Sequence, residues 1–407
     1  MPVVKINTSV DYAERGTRVY RQITFSMFVA GLCTFAQLYY LQPLLPILTR
    51  YFQITPAHCS LVISAATIAL ATGLLIGAFL SDRFPRKTLM ATALFTSSLL
   101  TITAAFASSF SWLVVLSALK GFSLSGVAAI AMAYIGEEVS PASLSRSMGL
   151  YITGTILGGM MGRVVASLLA GWFSWQAVSA IIGVSCLVLS IAFSRSLPPS
   201  KHFRPRQQNG KDLLVTMANN IKDSTLIRLC LFAGLAMGSF VSMYNYLGFR
   251  LEAPPFALPQ SLIAGIFLMY AAGMGGSFCA GPIAEKVGMP ATLLGMAALM
   301  LCGLLLTWSQ HLVLIIAGLG LLTFGFFGAH TIASSWAGSR IPSNRAAASS
   351  LYLLFYYVGS SVLGTFSGVM MKEFGWNGIL ILLGIILSIA VLLTAGLKIR
   401  TVKAKLS

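Results

Sequence analysis

Charge is what this chain has least of. Only 9% of its 407 residues are Asp, Glu, Lys or Arg while 57% are hydrophobic, whereas soluble domains carry about 25% charged residues. So little polar surface cannot coat a soluble globule of this length, and the composition places the chain in lipid. Acids are scarcer still: there are ten, and each maps to a loop or to the end of an apolar run. A polytopic membrane enzyme would need acids, histidines or a nucleophile gathered at one depth, and no such gathering is visible. No Gly-x-x-x-x-Gly-Lys-Ser/Thr loop occurs, which removes the sequence basis for a nucleotide-driven pump. The six cysteines (Cys33, Cys59, Cys186, Cys230, Cys279 and Cys302) are scattered in or beside apolar runs without paired spacing. They read as packing residues, with neither a disulfide framework nor a zinc site, and no metal or cofactor is expected. A cleavable signal peptide is not evident, because the first 21 residues are polar and carry Asp11 and Glu14. The first helix is expected to act as its own insertion signal.

What the chain has in abundance is apolar runs of about 20 residues, the length that crosses a hydrocarbon core. Twelve are counted, at 22–46, 59–81, 88–108, 111–134, 147–171 and 174–195, then 225–249, 260–284, 289–309, 311–334, 347–371 and 374–397. The two sets repeat one another. Gly77 to Lys87 is echoed by Gly281 to Gly288, each ending an apolar run with an acid followed by a base, Asp82-Arg83 in one and Glu285-Lys286 in the other. Leu150-Tyr151 matches Leu351-Tyr352, Pro141 matches Pro342, Trp175 matches Trp376, and Ala30-Gly31-Leu32 matches Ala233-Gly234-Leu235. The expected fold is an all-α polytopic membrane protein with twelve transmembrane helices in two pseudo-symmetric six-helix bundles, and parallel halves of this kind hold a solute between them near the midplane.

A net charge of +17 could suggest nucleic acid, but its placement points to topology. With the N-terminus in the cytoplasm, 22 of the 27 Lys and Arg residues fall in cytoplasmic segments and three, Arg50, Arg250 and Lys372, on the other side. Cytoplasmic loops carry excess Lys and Arg, so both termini are expected inside and no nucleic-acid partner is expected. The expected organisation is a cytoplasmic segment at 1–21, an N-terminal bundle at 22–195, a basic linker at 196–224 with Pro198, Pro199 and Pro205, a C-terminal bundle at 225–397, and a cytoplasmic tail at 398–407. Loops at 108–111, 172–175 and 309–311 are short, which leaves tight turns on the far side. Gly154, Gly158 and Gly162 lie on one face of the fifth run. Such a face lets a neighbouring backbone approach closely, as static packing or as a sliding surface.

Two basic residues fall deep inside runs, Lys120 in the fourth and Arg163 in the fifth. At about 1.5 Å per residue they sit about 14 Å and about 12 Å below the far helix ends. Charge there is unfavourable unless it faces a cavity or a structural partner. Since no acid shares that depth, a cavity lined by Lys120 and Arg163 favours anions or neutral polyols over lipophilic cations. Gln37 with Tyr39 and Tyr40 in run one, Tyr244, Asn245 and Tyr246 in run seven, and Tyr352, Tyr356 and Tyr357 in run eleven form further polar clusters. Interfacial anchoring accounts for some tyrosines. Amides both donate and accept, so Gln37 and Asn245, with Tyr40 and Tyr356, join the two cations as candidate substrate residues. A proton carrier, if one is used, would be His330 in run ten or Lys120.

Twelve runs, a duplicated half, a basic central linker and the Asp-Arg loop after run two together resemble the major facilitator superfamily over essentially the whole chain. Ser123 to Ala129, Gly158-Gly159, His202 to Pro205 and Ala333 to Trp336 resemble bacterial inner-membrane exporters assigned mainly to drug or sugar efflux. The family loop reads Gly-x-Leu-Ala-Asp-Arg-x-Gly-Arg-Lys; aligned on Asp82, the chain keeps Leu80, Arg83, Arg86 and Lys87, and departs at Ala78 and Pro85. The resemblance implies that Asp82, Arg83, Arg86 and Lys87, with Glu285 and Lys286 in the second half, form a gate rather than a ligand site. The family's span-four arginine is replaced by Ser117, with Lys120 one turn along. The resemblance implies a monomeric secondary transporter in the bacterial inner membrane that exports a small solute (a sugar, organic anion or drug-like compound) by alternating access, coupled to the proton gradient. Pro85 and Ser117 keep open a non-transporting receptor or an impaired transporter.

Overall fold

The computed structural model describes residues 12–80, 84–202, 210–341 and 345–406, and these are almost wholly helical. α1 (Arg18–Tyr39) starts at Thr17, whose hydroxyl accepts the Tyr20 amide. It ends at Tyr39 because Pro43, four residues on, has no N–H to donate to that carbonyl. A 3-10 turn (Gln42–Leu44) and α2 (Leu45–Phe52) complete the first crossing. α3 (Pro56–Leu80) and α4 (Arg86–Ala104) follow, then α5 (Phe110–Ala128) continued by the short α6 (Ala131–Glu138). α7 (Leu144–Leu169) and α8 (Trp175–Ser196) close the first half.

Between the halves, α9 (Gly210–Asn220) packs against the last helix, an element the polar composition of 196–224 did not announce. The second half holds α10 (Ser224–Glu252), then α11 (Gln260–Ile263) leading through a 3-10 turn into α12 (Tyr270–Val287). α13 (Met289–Leu306), α14 (Leu312–Arg340) and α15 (Arg345–Leu406) complete it. α15 breaks at Gly375, whose φ of 62° and ψ of −156° are open to glycine alone, and supplies two crossings. Ten described segments are long and apolar enough to cross a membrane on their own, with 345–406 counted once. α4 adds another crossing despite its many Ser and Thr side chains: Ser97, Ser98 and Thr101 are buried, and the outward Thr92 and Thr103 hydroxyls donate to carbonyls of their own helix. Twelve crossings result among the described residues, as the sequence leads one to expect. Large apolar side chains such as Phe106, Phe278 and Val313 stand outward, each more than three-quarters exposed, as a lipid-facing wall requires.

The repeat is visible at single residues. A Cβ on Gly31 of α1 would press on the Tyr151 carbonyl of α7, and one on Gly234 of α10 would press on the Phe355 carbonyl of α15. Equivalent helices therefore touch backbone to backbone in both halves. The halves meet on the side away from the termini. There Thr67 and Ser361 hydroxyls lie 2.9 Å apart, Ser64 Oγ donates to the Ser361 carbonyl at 3.1 Å, and Arg50 pairs with Glu252. Gln260 Nε2 donates to the Pro43 carbonyl at 2.6 Å.

Candidate functional site

On the terminal side of those contacts, between the halves, lies a cavity of about 430 Å³. Its inner end is built around Arg163. The proline-broken end of α1 turns Gln42 inward, and Arg163 Nε of α7 donates to Gln42 Oε1. Gln42 Nε2 in turn donates to Asn245 Oδ1 of α10 at 2.7 Å, so one amide joins α7 and α1 to the other half. Arg163 Nη1 donates to the Gly159 carbonyl one turn back at 2.6 Å. A Cβ at Gly159 would crowd that nitrogen at 3.2 Å, which gives this glycine its purpose. The guanidinium carbon stands 4.2 Å from the Tyr39 ring centre and 4.7 Å from that of Tyr270, one ring from each half. Delocalised charge between two aromatic faces is favourable where water is excluded.

The C-terminal half contributes an aromatic wall. Phe240 of α10 and Phe326 of α14 stack at 4.0 Å and 9°. His330 continues the row, 12° off the Phe326 plane, with Tyr356 4.8 Å away and its Nδ1 3.0 Å from the Tyr352 hydroxyl. No Asp, Glu, Asn or Gln lines the cavity among the described residues, and Arg163 is its charged member.

Of the sequence candidates, Arg163, Tyr356 and His330 reach this wall. The others stand behind it. Gln37 accepts from Thr101 Oγ1 at 2.9 Å within the first half, and Asn245 backs Gln42. Lys120 is 2% exposed, with its Nζ 4.5 Å above the Tyr40 ring and inside the first bundle. It shares Arg163's expected depth yet faces elsewhere, because depth along an axis does not fix which way a helix face turns. Asp82 and Arg83 lie outside the described residues. Arg86 binds Glu137 of α6 through Nη2 at 2.7 Å and Nε at 3.1 Å, inside one half. Lys87 follows it on the first turn of α4, while Glu285 and Lys286 on the last turn of α12 are exposed and form no ion pair among the described residues. On the terminal face Asp223 caps α10, accepting the Leu226 amide at 2.7 Å, and pairs with Arg340 of α14. Burial pushes its carboxyl up, but Arg340 and the Leu226 and Thr225 amides outweigh that and hold it below the ordinary carboxylate range.

Sequence reasoning missed Gln42, Tyr270 and the phenylalanine row. Gln42-Pro43 carried the one usable signal, an amide placed at a helix break. The rest read as ordinary apolar helix until a partner helix turned them inward.

The profile of the Major Facilitator Superfamily matches residues 27–364. The chain is 40% identical over 392 residues to the MFS-type transporter YybF of Bacillus subtilis, covering 96% of this chain and 97% of that one. It is also 40% identical over 381 residues to the inner membrane transport protein YnfM of Escherichia coli, covering 94% and 91%. Among solved structures, a bacterial homologue of the human lysosomal transporter Spinster superposes with a TM-score of 0.75 at 15% identity over 94% of this chain and 97% of that one. The nucleoside transporter NupG superposes with a TM-score of 0.76 at 14% identity over 92% and 98%. Those two similarities concern the fold alone. Given the profile match, the 40% relatives and the two-bundle architecture, the chain belongs to the major facilitator superfamily and is a membrane transporter, not an enzyme.

Proposed function

We propose that this protein exports a small solute across a bacterial inner membrane by alternating access, in exchange for protons moving inward. The observation that carries the reading is a cavity between the halves, backed on one side by cross-half contacts and reaching towards the terminal face. The excess of Lys and Arg on that face supports a cytoplasmic orientation for both termini. In this state the site would collect its solute from the cytoplasm, and rocking of the bundles would break the Thr67–Ser361 and Arg50–Glu252 contacts to release it outside. Arg163 and Tyr356 are the substrate residues proposed on the wall, with Asn245 holding Gln42 against Arg163 from behind, while Gln37, Tyr40 and Lys120 lie inside the first bundle away from the solute. His330 is the proposed proton carrier because it is a titratable imidazole on the wall itself, and Lys120 is the second candidate. Asp82, Arg83, Arg86 and Lys87, with Glu285 and Lys286, are the proposed gate residues. One chain supplies the whole cavity, which supports a functional monomer.

Everted vesicles with an imposed inside-acid gradient test the reading. A protein-dependent collapse of the gradient on adding a sugar, an organic anion or a drug-like compound is the expected result. Collapse with lipophilic cations alone contradicts the charge of the cavity, and silence with every class in well-inserted protein removes proton-coupled export.

A further inference from the structure

We infer that the cavity selects aromatic carboxylates of one or two rings, with the carboxylate at the Arg163 end and the ring along the wall formed by Phe327, His330 and Tyr356. The inference rests on the transport reading and narrows it.

Charge comes first. Arg163 is 2% exposed, and its described partners are neutral: the Gln42 amide oxygen, the Gly159 carbonyl and two tyrosine faces. A buried cation with no counter-charge is unfavourable, and an arriving anion relieves it. Donors come second. The guanidinium carries five N–H groups; its described bonds engage Nε and Nη1, and none engages Nη2. Tyr39 is 4% exposed, lines the cavity and holds a hydroxyl with no hydrogen-bond partner, on a ring packed against the same guanidinium. An ionised carboxylate accepts several such bonds, and charge-assisted ones are the strong kind.

Shape comes third. Phe240, Phe326 and His330 form a row of nearly parallel rings, with Phe327 set edge-on to Phe240 at 87° and Tyr356 tilted against His330. Phe240 and Phe326 are each 2% exposed and back this row, so the surface offered to a guest is that of the half-buried Phe327, His330 and Tyr356 rings, which favours an aromatic guest over an aliphatic one of the same length. The volume of about 430 Å³ falls in the range of small-ligand sites. A polyol fits less well, because the amide and carboxylate side chains that would grip adjacent hydroxyls are missing from the described wall. A lipophilic cation would meet Arg163 with no acid to offset it.

Binding to purified protein in nanodiscs separates these classes. The probes are 2-naphthoate, the neutral 2-naphthalenemethanol, the cationic 2-naphthylmethylammonium and the non-aromatic cyclohexanecarboxylate. The expected result is 2-naphthoate binding roughly tenfold to a hundredfold tighter than the alcohol, the gain of one charge-assisted contact. Cyclohexanecarboxylate and the ammonium should bind more weakly still. Arg163→Gln should bring naphthoate and alcohol to similar affinity. Tyr39→Phe, which keeps the ring, should weaken naphthoate several-fold and leave the alcohol unchanged. Should Arg163→Gln fail to fold, the Tyr39→Phe ratio decides alone. Equal binding of acid and alcohol, or preference for the ammonium, overturns the inference. Vesicle transport of another solute with no naphthoate binding also overturns it and leaves the transport reading standing. Arg163-dependent naphthoate binding without transport of any solute upholds the site and overturns the transport reading.

Discussion

Gly158 shows how one missing side chain organises two helices. A Cβ there would collide with the Leu32 carbonyl of α1, and the same holds at Gly154 against Phe28 and at Gly162 against Ala36. Gly158→Val should therefore push α1 off α7 and destabilise the protein by about 1–3 kcal/mol, as overpacking does. Gly149→Ala on the same helix meets nothing within 4 Å and should leave the melting temperature in detergent unchanged. A Gly158→Val protein that melts with the wild type would contradict the packing. The spacing of these glycines was legible in sequence, but their partner was not, because close approach is a property of two helices. Arg163 divides the same way. Its depth could be counted residue by residue, whereas the Gln42 bond and the tyrosine sandwich needed four separate segments to converge.

Helix ends decide more than their size suggests. Asp223 caps α10 and holds Arg340 at the end of α14, tying two crossings together on the terminal face. Asp223→Ala should lower stability by about 1 kcal/mol at neutral pH, the usual worth of a cap. The folded carboxyl is held below its ordinary value, so its stabilisation is full above the ordinary aspartate range and fades as pH falls through the lowered value. The difference between wild type and Asp223→Ala in thermal unfolding should accordingly shrink only in strong acid; a gap that closed near neutrality would refute the assignment. At Gly375 the positive φ turns the chain between the two arms of α15. Gly375→Ala should cost about 1–3 kcal/mol, the strain of a side chain in glycine-only backbone, read as a lower melting temperature with the helix content retained.

At the scale of the whole molecule, the bonds on the side away from the termini hold the halves together. The Thr67 and Ser361 hydroxyls lie 2.9 Å apart across the boundary, so cysteines at both positions should cross-link under mild oxidation. Under alternating access that cross-link should stop transport and a reductant should restore it. Undiminished transport by fully cross-linked protein would mean that the halves need not part there. The pseudo-symmetry that allows such rocking is physical as well as sequential: Gly31 against Tyr151 and Gly234 against Phe355 are the same contact made twice.

The sequence by itself determined the solvent, the number of crossings, the duplication and the depth of each buried charge. Those depend on composition, run length and the 1.5 Å rise of a helix, which are local quantities. Only the tertiary structure decided which face each helix turns to which neighbour. It set Lys120 over Tyr40 inside one bundle and Arg163 between the halves, and it gathered apolar-looking phenylalanines into a ring-lined wall. The reason is geometric: hydrophobic runs apolar on all sides carry almost no amphipathic signal, so in lipid the rotation of a helix about its axis is fixed by the helices it packs against.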